Sequence, residues 1–315
     1  MIKVDLVTGF LGSGKTTFIK EYAERLCNKE LKVAIIVNDY GAINVDRLLL
    51  EEKLGDKCRL EMVIGGDVDC ARRRLKTKLI AMAMEKYDRV IVEPSGIFDV
   101  DEFFDMLYEE PLERMYEIGN VFSIVEAGLD RDMSHESRYF LASQIAKAGC
   151  VVISKTDMVD SPEVLKLNEA FITEVLAEFN HRGKVPEFYL KTDGGIAEED
   201  FEKLLRVGYG SGDIMKLQLS EENGFKSLFF FHVKTPIDSL KETVDDIFAD
   251  KDAGNVIRLK GFIQDHDGAW LEVNATKTEI TIKPTSVGQE LFIVIGEGLI
   301  EEKIGSHFEE YRNSL

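Results

Sequence analysis

Cysteine is scarce in the 315-residue sequence: Cys27, Cys58, Cys70 and Cys150 are scattered along it. No framework spacing links them, which excludes a disulfide-stapled scaffold and leaves reduced thiols as the expectation. No stretch approaches ~18 uninterrupted apolar residues, so no membrane-spanning helix is expected. The first apolar run starts at Ile2 with no basic-then-apolar leader ahead of it, and the reading is cytoplasmic. Histidine is sparse and dispersed: His135, His181, His232, His266 and His307 form no local cluster, and none is assigned to metal. Positive charge is in deficit, 39 Lys and Arg against 58 Asp and Glu, for a formal net charge of -19. Such a surface repels polyanions and argues against nucleic acid or an anionic membrane as the main partner. Repeats and low-complexity segments are missing as well. What remains, 44% hydrophobic and 31% charged, is an ordinary globular composition with length enough for one large domain and a smaller one.

The informative stretch begins at residue 8. Thr8, Gly9, Phe10, Leu11, Gly12, Ser13, Gly14, Lys15, Thr16 and Thr17 follow the apolar run Ile2 to Val7 and lead into Phe18 to Leu26. Strand, glycine loop and helix in that order are what a phosphate-binding loop requires. The glycines let successive N–H groups converge on one point, and the helix N-terminus adds partial positive charge. Gly12, Ser13, Gly14, Lys15, Thr16 and Thr17 are therefore the candidate nucleotide-binding residues. Lys15 would reach the outer phosphates and Thr16 would ligate a bridging Mg2+. A nucleoside triphosphate is the expected ligand.

Loops at the carboxyl ends of such strands carry function, and several strand ends here hold polar candidates. The second apolar run, Lys32 to Asn38, ends beside Asp39. The segment Ala42 to Gly55 reads either as a loop that senses the third phosphate or as a plain solvated loop. A strand over Leu60 to Ile64 ends in Gly65, Gly66, Asp67, Val68, Asp69 and Cys70, before Arg72, Arg73 and Arg74. Two carboxylates and a thiol so close can hold a divalent cation, or simply cap the helix that follows. The strand Arg89 to Val92 ends in Glu93, Pro94, Ser95 and Gly96. A carboxylate there is the usual complement of a phosphate loop, which makes Glu93 a Mg2+ candidate with Asp39, either of them also able to orient water. Gly96 would report loss of the third phosphate.

After strands at Val121 to Val125 and Cys150 to Ile153 come Ser154, Lys155, Thr156 and Asp157. Ser-Lys-any-Asp reads guanine in phosphate-loop GTPases, the carboxylate accepting from N1 and N2 while the lysine stem packs over the ring. Average composition yields such a tetrapeptide by chance on the order of 0.1 to 0.2 times in a chain this long. Ser154, Lys155 and Asp157 are accordingly assigned to the base, and the base to guanine. Helical spacing runs from Ser161 to Phe179, a short strand from Phe188 to Leu190, and Gly208 to Gly212 reads as a linker. The domain boundary is placed near 215, giving domains 1–215 and 216–315. The second shows clustered strands at 228–233, 256–263, 270–274, 279–282 and 291–295, with helices at 237–248 and 299–308. The expected fold is α/β, a mostly parallel P-loop NTPase sheet, followed by a smaller α+β domain.

These motifs, together with Arg258 to Phe262 and the run Ile293 to Leu299, resemble the CobW-like P-loop GTPases, relatives of HypB and UreG. The resemblance spans nearly the whole chain. It implies GTP hydrolysis coupled to metal handling, with a client metalloprotein or cofactor protein as partner and a homodimer left open. The family's Cys-any-Cys-Cys metal motif falls on Asp67, Val68, Asp69 and Cys70, where one cysteine is kept. An oxygen-rich trio holds Zn2+ or another divalent transition metal more weakly than thiolates do. The alternative is a nucleotide-gated conformational chaperone, for example of a corrinoid protein, that carries no metal. A small-molecule kinase is disfavoured by the guanine motif.

Overall fold

The β-branched runs form strands because they can be buried on both faces, and the buried positions alternate between two cores. A computed structural model describes the chain except residues 11, 40–53, 55–57, 65–67, 95–99, 159–161, 193, 218–224, 278, 286–287 and 313–315. The segment 42–55 apart from Leu54, together with Gly65, Gly66, Asp67 and Gly96, lies outside the described residues. The chain divides into two compact units, with one division after Leu217.

In the first unit, strands β1 (Ile2–Gly9), β2 (Val33–Asp39), β3 (Cys58–Ile64), β4 (Arg89–Glu93), β5 (Tyr116–Glu126), β6 (Cys150–Ser154) and β7 (Glu187–Leu190) form one sheet. Their order is β3-β2-β4-β1-β5-β6-β7, and every pairing is parallel. Helices α1 (Lys15–Asn28), α2 (Val68–Met84), α3 (Val100–Leu107), α4 (His135–Ala146), α5 (Pro162–Glu178) and α6 (Glu198–Leu204) connect them. One face buries Val4, Leu6, Val90 and Val92 against Leu75 and Leu79 of α2 and Phe103 of α3. The other buries Val7, Ile91, Phe122 and Ile124 against Phe18, Ile19, Tyr22 and Leu26 of α1 and Phe201 of α6. The central strand β1 lies between β4 and β5, so the loop after it opens beside the ends of both.

Beneath that loop the sheet carries a polar core. Asp5 is fully buried; its carboxylate accepts from the Tyr22 hydroxyl at 2.9 Å and the Asn120 N–H at 2.8 Å, and pairs with Arg89 at 3.1 Å. The Tyr22 oxygen in turn accepts from Arg89 at 2.8 Å and Asn120 at 3.0 Å. Burial pushes the Asp5 carboxyl up, with Arg89 opposing it. Room comes from an irregularity in the β1–β5 register between Val4 and Leu6. A Cβ at Gly119 there would stand 2.3 Å from Asp5 Oδ1.

The glycine-rich stretch after α6 is not a linker, which corrects the sequence reading. Tyr209 bridges Ala148, Asp213 bridges Arg182, and the Gly210 N–H donates to Lys147 O at 2.8 Å. Its glycines allow close packing: a Cβ on Gly212 would stand 2.3 Å from His181 Nε2. The sequence signal for a flexible connector and for close approach of backbones is the same residue type.

In the second unit, β8 (Phe225–Lys234), β9 (Asn255–Gln264), β10 (Trp270–Thr276), β11 (Ile280–Thr285), β12 (Leu291–Glu297) and β13 (Glu310–Arg312) form an antiparallel sheet ordered β11-β10-β9-β12-β8-β13. One face packs on α7 (Leu240–Ala249) through Leu240, Val244 and Ile247, and on Ile304 of the short α8 (Glu301–Gly305). The helix expected over 299–308 is shorter because β13 pairs with β8 soon after it.

Candidate functional site

The end of β1 and the start of α1 make a tight loop. Gly9 has φ 146, and a Cβ there would stand 2.4 Å from Ile124 O of β5, so only glycine lets the strand end press against its neighbour. Gly14, in the left-handed region, caps α1 with no side-chain bond to the cap. By helix geometry the first N–H groups of α1 have no intrahelical acceptor, which suits an anion. Lys15 is nearly buried, its Nζ donating to Gly9 O and Phe10 O at 3.0 Å each. The ammonium is thereby held within the loop. Ser13 Oγ is buried with no partner among the described residues and packs under Gly9, where a Cβ would stand 2.7 Å from it.

The parallel order puts Glu93, the last residue of β4, beside this loop. Thr16 Oγ1 donates to Glu93 Oε1 at 3.0 Å and lies 3.2 Å from Oε2. Hydroxyl and carboxylate oxygens side by side, with Glu93 largely buried, form a hard-oxygen donor set that fits Mg2+. Thr17 is exposed on the first turn of α1. Asp39 ends β2, whose Val37 is paired with Glu93, but its side chain is outside the description.

The stretch Ser154 to Asp157 is tied to the same loop. Ser154 Oγ donates to Ser13 O at 2.6 Å, and the Ala127 N–H donates to Ser154 O at 2.8 Å. Lys155 has φ 53, and its Nζ pairs with Glu126 Oε2 at 2.9 Å. Thr156 Oγ1 donates to Lys191 O at 2.8 Å, which fastens the loop after β7 alongside. Asp157 is exposed on the one-turn helix that follows. Sequence reasoning missed Glu126 and Lys191. An acidic residue at the end of the apolar run Val121 to Val125 was the available signal for the first; for the second there was none.

Asp67 lies outside the described residues, and Asp69 and Cys70 are described only in backbone, in the first turn of α2. Among the described residues no three His, Cys, Asp or Glu gather into a metal cluster. Among the described residues Cys27, Cys58 and Cys150 form no disulfide, and burial pushes the Cys150 thiol up to about 12. No described helix is long and apolar enough to cross a membrane.

A parallel sheet with this glycine loop at its central strand, and with Thr16 and Glu93 in contact, defines a P-loop nucleotide-binding protein. The chain belongs to the family described as CobW/HypB/UreG, nucleotide-binding domain, which it matches over residues 3–181, more than half its length. It is 29% identical over 206 residues to the Zinc chaperone YjiA of Escherichia coli (strain K12), covering 62% of this chain and 59% of that protein. To the Zinc-regulated GTPase metalloprotein activator 1 of Dictyostelium discoideum it is 26% identical over 305 residues, 83% of this chain and 62% of the other. To the Zinc chaperone CobW of Pseudomonas aeruginosa it is 23% identical over 349 residues, 92% of this chain and 88% of the other. It thus spans less than two thirds of the length of the first two relatives.

Proposed function

We propose that the chain is a GTP-hydrolysing switch whose nucleotide state governs metal handling or the maturation of a client protein. One observation supports the nucleotide most directly: the Ser154 hydroxyl bonds the Ser13 carbonyl. That bond joins the stretch that reads a purine edge to the loop that fits phosphates. Asp157 offers a carboxylate to the paired N1 and N2 donors of guanine, which adenine lacks. Lys15 and the first amides of α1 would stabilise charge that builds on the phosphates as the terminal group transfers to water. Mg2+ held by Thr16 and Glu93, with Asp39 as a further carboxylate for the ion or for water, would supply charge neutralisation there.

The metal half of the proposal draws its support from relatives named zinc chaperones and a metalloprotein activator. Asp67, Asp69 and Cys70 are its proposed ligands for Zn2+ or another divalent transition metal. The loss of two thiolates favours a second reading, a nucleotide-gated conformational chaperone that carries no metal. Both readings take a client metalloprotein or cofactor protein as partner, in the cytoplasm, without nucleic acid or membrane, and with a homodimer as one state to be measured.

The test is calorimetric titration of metal-free protein, loaded with Mg2+ and a non-hydrolysable GTP analogue, against Zn2+, Co2+, Ni2+ and Mn2+. The Asp67→Ala, Asp69→Ala double variant runs beside it, and phosphate release from GTP and from ATP is followed in parallel. Nucleotide-dependent metal binding that disappears in the double variant supports the metal switch. GTP hydrolysis with no metal binding leaves the conformational chaperone. Hydrolysis of ATP in preference to GTP defeats the base assignment.

A further inference from the structure

Along β5, Phe122 and Ile124 point into the core on the α1 side, and the strand period puts Glu126 on that same face. Its partner across the sheet is Ser154, the residue bonded to the phosphate loop. An apolar side chain would continue the stripe, yet the position holds a carboxylate, and it meets Lys155 Nζ at 2.9 Å with the two side chains 23% and 26% exposed. Lys155 itself stands at φ 53, a region that non-glycine residues seldom occupy. Backbone strain of this kind persists where surrounding structure enforces it, and it gathers at ligand clamps. A half-buried ion pair ending on a strained lysine, one residue from the loop contact, is more than a solvated surface bridge.

We propose that Glu126 is a positioning residue for the nucleoside, an inference that rests on the guanine reading above. Its carboxylate anchors the Lys155 ammonium, so the four-carbon stem is drawn out as an apolar rail for the flat face of a purine. The cation at the end of the rail adds attraction to the ring. The rail touches the face, which all purines share, whereas Asp157 reads the edge, which only guanine completes. Glu126 therefore sets how tightly purine nucleotides are held and leaves the choice among them to Asp157.

Equilibrium titrations of the full chain with Mg2+ and GTP, ATP or inorganic tripolyphosphate test this. Glu126→Gln is expected to weaken GTP and ATP by the same factor, roughly 5- to 20-fold, within the range for one cation–ring contact. Tripolyphosphate, which has no base, should bind as before. Lys155→Gly should lose GTP affinity while its Tm holds or rises, because glycine relaxes the left-handed backbone. Adding Glu126→Gln to it should cost nothing further, since the two act through one contact. If wild type prefers GTP and Glu126→Gln binds it unchanged, the rail is overturned and the guanine reading stands. Equal loss tripolyphosphate included also overturns it, since that marks a general disturbance of the site. Equal loss of GTP and ATP in Glu126→Gln, beside a wild type that binds the two equally, supports the rail and overturns the guanine reading.

Discussion

Single atoms decide the chemistry at the nucleotide end of the first unit. Thr16 and Glu93 are 77 positions apart, yet hydroxyl and carboxylate touch because β4 lies next to β1. Asp157 carries the sharpest residue-level prediction. With asparagine there, an amide donor would face guanine's own donors, so Asp157→Asn should bind GTP about 10- to 100-fold more weakly, the worth of hydrogen bonds to a charged group. Xanthosine triphosphate, with a carbonyl at the matching position, should gain; competition against a fluorescent nucleotide reads both, and an unchanged GTP affinity would remove Asp157 from the site. His181 carries a second prediction. Its Nε2 is buried without a partner among the described residues, and burial with the nearby Lys147 charge holds its pKa below the ordinary 6.5. The folded state thus favours neutral imidazole, and its contribution to stability is present above about pH 6.5 and lost as pH falls below that through the lowered value. The urea midpoint should drop between about pH 7 and pH 5.5 more in wild type than in His181→Gln; equal drops would mean that other groups set the slope.

At the scale of elements, the Asp5, Tyr22, Arg89 and Asn120 cluster joins α1 to the three strands β1, β4 and β5. Tyr22 is its hub, one hydroxyl donating once and accepting twice. Tyr22→Phe leaves buried groups short of a partner in a dry core, so it should lower unfolding free energy by about 1–3 kcal/mol, measured by urea denaturation. A loss within a few tenths of a kcal/mol would show that water replaces the hydroxyl. The strands and helices themselves were legible because apolar periodicity is local. The helices α3 and α6, only 8 and 7 residues long, have no such signature. Short segments carry too few turns for a periodic signal, and tertiary packing of Phe103 and Phe201 stabilises them instead. The stretch Gly208 to Gly212 looks like a linker in sequence and packs closely in the fold, because glycine signals both looseness and close packing and only the neighbours tell which.

At the scale of the molecule, a net charge of -19 makes self-repulsion a standing cost in the folded state. Raising NaCl from about 20 mM to about 500 mM shortens the Debye length from roughly 20 Å to 4 Å and should raise Tm. A falling Tm would mean that surface pairs such as Arg138 with Glu174 and Glu178 outweigh the repulsion. The sequence by itself determined the phosphate loop, the acid at the strand end, the Ser154 to Asp157 stretch and the two kinds of sheet, since each depends on contiguous residues or a short period. The tertiary structure alone decided which strand ends meet. It set Ser154 on Ser13 across 141 positions, Lys155 on Glu126 across 29, and the buried Asp5 carboxylate of the central strand against Tyr22 and Arg89. Those contacts follow from strand order and from desolvation in a shared core, and neither has a signature in neighbouring residues.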